Sequence, residues 1–99
     1  MKKFKIRFTP EASRLLSKYH PENKMLIKQA LNDLQQNPYI GNDLEEELYG
    51  FKSFKIKRYR IIYNIDEDIN FVQIYYVGHR RDVYEKFRLL LNKLQESSS

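Results

Sequence analysis

Residues 52–77 read KSFKIKRYRIIYNIDEDINFVQIYYV, and the fold turns on how this stretch divides into strands. Ile, Val, Tyr and Phe crowd it, the side chains that pack well on a pleated surface. Three strands are expected, near residues 52–58, 59–65 and 69–77. Asp66, Glu67 and Asp68 interrupt the apolar pattern between the last two and supply turn residues, so these two form an antiparallel hairpin. Between the first two the division stays open. Lys57-Arg58 contains no turn former, and a continuous bent strand is the alternative.

Upstream, Phe4, Ile6 and Phe8 alternate with Lys3, Lys5 and Arg7, which reads as an N-terminal strand over residues 2–8. Thr9-Pro10-Glu11 then offers a capping hydroxyl, a proline for the first helical position and a carboxylate for the positive end of the helix dipole. The helix they open runs to about Lys18, with Leu15 and Leu16 inward. His20-Pro21-Glu22 starts a second helix, where Ile27, Ala30, Leu31 and Leu34 recur at helical spacing until Asn37-Pro38. Residues 39–50 form a loop with an acidic patch at Asp43, Glu45, Glu46 and Glu47. Downstream, Gly78 ends the last strand, and residues 82–95 form a closing helix with Val83, Phe87, Leu90, Leu91 and Leu94 on one face. The expected class is α+β: an N-terminal strand, a helical hairpin, an antiparallel three-strand meander and a C-terminal helix, with the helices packed on one sheet face. Residues 1–96 form one domain in this reading, followed by a disordered tail over residues 97–99.

Ninety-nine residues, 41% hydrophobic and 14% aromatic, suffice for one core and no second domain. The absence of cysteine excludes disulfides, thiolate zinc sites, iron–sulfur ligation and cysteine nucleophiles together. His20 and His79 are the only histidines, too few for an all-histidine metal site, and no cofactor or metal is expected. No apolar run approaches the roughly 18 residues of a membrane span, and the opening residues lack the apolar stretch of a signal peptide. The expected location is cytoplasmic, with no membrane partner. No Ser-His-Asp order, glycine-rich phosphate loop or HExxH helix occurs, and the carboxylates cluster in turns rather than in hydrolase-like pairs.

The charge is more informative. Lys and Arg number 18 against 13 Asp and Glu, a net charge of +5. Five of the nine residues from Lys52 to Arg60 are cationic, namely Lys52, Lys55, Lys57, Arg58 and Arg60. Strand alternation puts Lys55 and Lys57 on one face, opposite Phe54 and Ile56. Like charges 4 Å apart repel by about 1 kcal/mol in bulk water and by more where solvent is excluded. The stretch is therefore either a solvated face whose long stems cover apolar surface, or a site for an anion. His79-Arg80-Arg81 repeat the pattern just past the last strand. Tyr84 stands four residues after Arg80, on the same face if the closing helix begins there. Taken alone, His79 is an ordinary surface histidine and Tyr84 one of eight tyrosines, most of which must pack.

Leu48-Tyr49-Gly50, Phe54-Lys55-Ile56-Lys57, Tyr59-Arg60-Ile61-Ile62-Tyr63 and Val77-Gly78-His79-Arg80-Arg81-Asp82-Val83-Tyr84, in this order and separation, resemble the RelE-like branch of the RelE/ParE toxin superfamily. The resemblance covers about residues 2–88. It implies a toxin of a type II toxin–antitoxin system that cleaves messenger RNA in the decoding site of a translating ribosome, without a metal. The implied reaction is attack of a ribose 2′-hydroxyl on the neighbouring phosphate. By position, the resemblance makes Arg60 and Arg80 ligands of the phosphate or transition state, and Tyr84 a base-stacking ring or proton-transfer group. Lys55 and Lys57 resemble the family's basic pair, in which a lysine acts as base. Lys52, Arg58, His79 and Arg81 would hold RNA or ribosome. The implied partners are the ribosome, messenger RNA and a cognate antitoxin whose acidic or amphipathic segment covers the basic face and the closing helix. The chain's own acidic loop would screen part of the patch. Two departures from the family pattern stand out: a short Lys57-Arg58-Tyr59 connection, which leaves the lysine register open by one strand step, and a short interval from Arg80 to Tyr84. Two other functions fit a chain of this kind, a ParE-like inhibitor of DNA gyrase and a toxin-like module that only binds.

Overall fold

The structure, a computed structural model, describes residues 3–97. Its regular elements are β1 (Lys5–Phe8), α1 (Pro10–Ser17), α2 (Pro21–Gln36), β2 (Asn42–Asp43), β3 (Lys52–Ile56), β4 (Tyr59–Asp66), β5 (Phe71–His79) and α3 (Val83–Ser97). The strands form one sheet in the order β1-β5-β4-β3-β2. β3, β4 and β5 make the expected antiparallel meander. β1 runs parallel to β5, a pairing that needs a long crossover, and α1 and α2 provide it. The unexpected strand is β2, two residues paired antiparallel to β3 at the sheet edge. Asn42 and Asp43 have no strand propensity of their own, so only the pairing makes them a strand.

Local chemistry sets the helix starts as read. The Thr9 hydroxyl accepts the Ala12 N–H at 3.1 Å with Pro10 in the first turn, and His20 Nδ1 accepts the Glu22 N–H at 3.4 Å with Pro21 behind it. The open division between β3 and β4 is resolved as a tight hairpin. Ile56 pairs with Tyr59, leaving Lys57 and Arg58 as the two loop residues. Lys57 takes φ +52°, the left-handed region that glycine or asparagine adopts with less strain.

Ile61, Ile62 and Tyr63 are all fully buried, so β4 is covered on both faces. Ile61 and Tyr63, with Val72, Ile74 and Val77, pack against Ala12 of α1 and Ile27, Ala30 and Leu34 of α2. Ile62 and Tyr76 pack instead with Leu48 and with Val83 and Phe87 of α3. The α+β class and the element order match expectation, but α3 lies on the sheet face opposite the helical hairpin, not on a shared face. β5 carries a bulge below α3. Ile62 pairs with Tyr76 and Tyr63 with Ile74, so Tyr75 is an extra residue that reverses the alternation along β5. The last turns of α3 run off the sheet. Leu94, expected in the core, is 56% exposed, and Leu89 is 60% exposed. Of the expected tail, Ser97 ends α3 and residues 98–99 lie outside the described residues. Among the described residues no helix is long and apolar enough to cross a membrane.

Candidate nucleic-acid interface

The register puts Lys55 beside Arg60 and Arg60 beside Gly78, one row across β3, β4 and β5 on the face that carries α3. Side chains neighbouring in such a row have Cβ atoms about 4.5–5.5 Å apart. Gly78 adds no side chain, and that absence has a use. A Cβ there would stand 3.1 Å from Val83 Cγ2 and 3.2 Å from Tyr76 Cε2, so glycine lets the start of α3 settle next to the row. Arg60 is half-buried, and its Nη1 donates to the carbonyls of Tyr59 at 2.9 Å and Lys57 at 3.1 Å. Those bonds fix the guanidinium plane and leave Nε and Nη2 for a ligand.

One row further on lie Ser53, Ile62 and Tyr76. Ser53, on the same strand face as Lys55, is covered by α3 and is 2% exposed. Tyr84, in the first turn of α3, places its hydroxyl 2.9 Å from Ser53 Oγ. The tyrosine is thereby held next to the Lys55–Arg60 row. Sequence reading missed Ser53. The available signal was a small hydroxyl residue two positions before Lys55 in a strand otherwise built of large side chains.

The third component is the rim of the sheet. Past His79 the ladder continues, as the Arg80 N–H donates to the Arg58 carbonyl at 2.7 Å. Lys57, Arg58, His79, Arg80 and Arg81 line an open cleft of about 480 Å³ with no carboxylate in its lining to neutralise it. His79 Nδ1 accepts the Arg81 N–H at 3.2 Å, and the imidazole lies edge-on to Tyr59 at 6.0 Å between ring centres. Arg60 joins rim to row, because the Lys57 carbonyl it holds belongs to the hairpin turn.

Several expected groupings do not form. Lys57 lies in the turn and shares no strand face with Lys55. α3 begins at Val83, so Arg80 precedes it and does not share a helical face with Tyr84. Lys52 alternates with Phe54 towards the other face, and its Nζ sits 2.5 Å from Asp43 Oδ1. Glu47 of the acidic loop engages Arg88 of α3 at 2.9 Å. The loop's screening thus falls on Lys52 and Arg88 and leaves the row and the cleft open. Among the described residues no three His, Asp or Glu side chains converge to hold a metal ion.

Comparison with known proteins agrees with this fold. The family model of the ParE toxin of the type II toxin–antitoxin system parDE matches residues 6–84, a span that includes the row, the cleft and Tyr84. Toxin RelG of Mycobacterium tuberculosis is similar, 35% identical over 85 residues that cover 84% of this chain and 98% of that protein. In the toxin–antitoxin complex RelBE2 from the same organism, a chain of 35% identity superimposes with a TM-score of 0.72 over 79% of this chain and 99% of its own. The isolated E. coli RelE toxin shares the fold, with a TM-score of 0.69 at 20% identity over 77% of this chain and 83% of that one. A cationic row and rim, bordered by an anchored tyrosine on this fold, lie within the matched span, and the chain belongs to the ParE toxin family of the RelE/ParE superfamily, the toxins of type II toxin–antitoxin systems.

Proposed function

We propose that this toxin is an endoribonuclease that cuts messenger RNA in the decoding site of a translating ribosome. The observation that carries the reading is the Lys55–Arg60 row with Tyr84 anchored beside it. In the reaction a base takes the proton of a ribose 2′-hydroxyl and the 2′ oxygen attacks phosphorus. The bond to the 5′ oxygen then breaks and that oxygen takes up a proton, giving a 2′,3′-cyclic phosphate and a 5′-hydroxyl. Negative charge grows on the phosphate in the transition state, where prearranged donors count most. Arg60 supplies such donors through Nε and Nη2, and Arg80 adds a second cation from the rim. Lys55, in the row, is the better candidate for the base than Lys57 in the turn. Lys57, Arg58, His79 and Arg81 form the landing surface for flanking phosphates, and Tyr84 offers a ring for a base to stack on. Lys52, already paired with Asp43, is left out.

Solved structures of this fold include toxin–antitoxin complexes from M. tuberculosis, E. coli and Pyrococcus horikoshii. A cognate antitoxin is accordingly the proposed partner here, with an acidic or amphipathic segment over the basic face and along the exposed Leu89 and Leu94 of α3. The reading places the protein in the cytoplasm, where its ribosomal target is. Its test is cleavage of a defined message on purified translating ribosomes, with the new ends mapped. Cuts within the decoding site bearing 5′-hydroxyl ends are expected. The match to the ParE family model favours a second reading, inhibition of DNA gyrase by binding. Loss of gyrase supercoiling with transcripts intact would establish that reading in place of the first.

A further inference from the structure

Among the described residues Ser53, the second residue of β3, is a buried polar side chain, 2% exposed. A hydroxyl taken out of water needs a hydrogen-bond partner, and no buried side-chain polar atom of the described residues lacks one. The partner of Ser53 is the Tyr84 hydroxyl at 2.9 Å, contributed by a different element 31 residues away in sequence. Ser53 and Lys55 point to the same side of β3, their Cα atoms roughly 7 Å apart along the strand. The next residue pair along the same face is Lys55–Arg60. A tyrosine has only two side-chain torsions, so fixing its hydroxyl at one point and its Cα in a helix fixes the ring as well. Val83, the neighbour of Tyr84, is itself fully buried beside Gly78, which holds the other end of this link.

We infer that Ser53 is a positioning residue. It anchors the phenol of Tyr84 so that the ring stands at a fixed place beside the Lys55–Arg60 row. The inference rests on the endoribonuclease reading and deepens it. In this arrangement the Tyr84 hydroxyl is an anchor rather than a proton donor to the leaving oxygen, and the ring face is what the RNA meets.

The test uses the full chain on translating ribosomes, with Ser53→Ala, Tyr84→Phe, the double variant and Ser53→Thr. Each single variant that breaks the pair should lower the single-turnover cleavage rate by roughly ten- to a hundredfold at saturating ribosome, with binding near the parent value. The double variant should be no slower than either single, because both remove one bond. Ser53→Thr keeps a hydroxyl at the same place and should recover most of the rate, an outcome that a purely space-filling role would not produce. Rates are expressed per folded molecule, so a loss of stability cannot imitate the effect. Multiplying defects in the double variant, or a parent rate in Ser53→Ala, would overturn the inference. A parent protein that cuts no message would instead overturn the endoribonuclease reading. The hydroxyl coupling is then read separately, from amide exchange in the first turn of α3, which Ser53→Ala and Tyr84→Phe should accelerate equally. Unequal acceleration would overturn the anchor by itself.

Discussion

Arg60 is held by two backbone carbonyls before any ligand arrives, so its cost of ordering is met by the fold rather than at the moment of reaction. Arg60→Ala should therefore act mainly on the transition state. The expected loss is about 2.7–4 kcal/mol in the barrier, a hundred- to a thousandfold in single-turnover rate, the scale for one prearranged donor. Arg60→Lys should not restore it, because one ammonium cannot keep both carbonyls and also present a planar fork to a phosphate. An unchanged rate with weakened binding would make Arg60 part of the landing surface only. At this scale much was legible in the sequence. Alternation suffices to set Lys55 opposite Phe54 and Ile56, but its place beside Arg60 depends on the two-residue turn, which the sequence left open. Lys57 was not legible, because its place depends on a left-handed backbone that its side chain gives no sign of.

Among the elements, α3 departs most from expectation, and the sequence carried a signal against a one-faced sheet. Ile61-Ile62-Tyr63 is a continuous apolar run, the mark of a strand covered on both sides, where a half-exposed strand alternates. The Tyr75 bulge was illegible, since an extra residue in one strand shows only against its partner's register. Held by Val83 and Phe87 and leaving Leu89 and Leu94 in water, α3 should open without the sheet. Hydrogen exchange should be faster at α3 amides than at those of β4, which is paired on both edges and buried on both faces. Equal protection of the two would show that α3 and the sheet unfold as one unit.

For the molecule as a whole, +5 matters less than where the free cations stand. If Lys55, Lys57, Arg58, Arg60, Arg80 and Arg81 hold an RNA backbone, binding should weaken with salt at a logarithmic slope of roughly −0.7 per phosphate neutralised. Lys52→Ala should leave that slope nearly unchanged, since Asp43 already engages the ammonium. A flat response would remove the polyanion reading. Alkaline pH should act through the core instead. Burial pushes the Tyr63 phenol up to about 12, against an opposing pull from the Gly41 N–H, and burial with the neighbouring Tyr59 raises Tyr19 to about 12. The unfolded chain releases these protons near pH 10, while the folded one keeps them. Their contribution is thus intact below pH 10 and is lost as pH rises towards 12, by at most about 1.4 kcal/mol per pH unit for Tyr63. Denaturant midpoints measured from pH 9 to 12 should fall across that window, and less steeply in Tyr63→Phe. The turn at Lys57 bears on how such a protein evolves. Its positive φ carries a penalty of roughly 1–2 kcal/mol for a residue with a side chain, and glycine would relieve most of it. A library selected for heat resistance alone should drift to glycine or asparagine at 57, and the same library selected for killing should keep the cation. Position 57 then marks where the two selections pull the sequence apart.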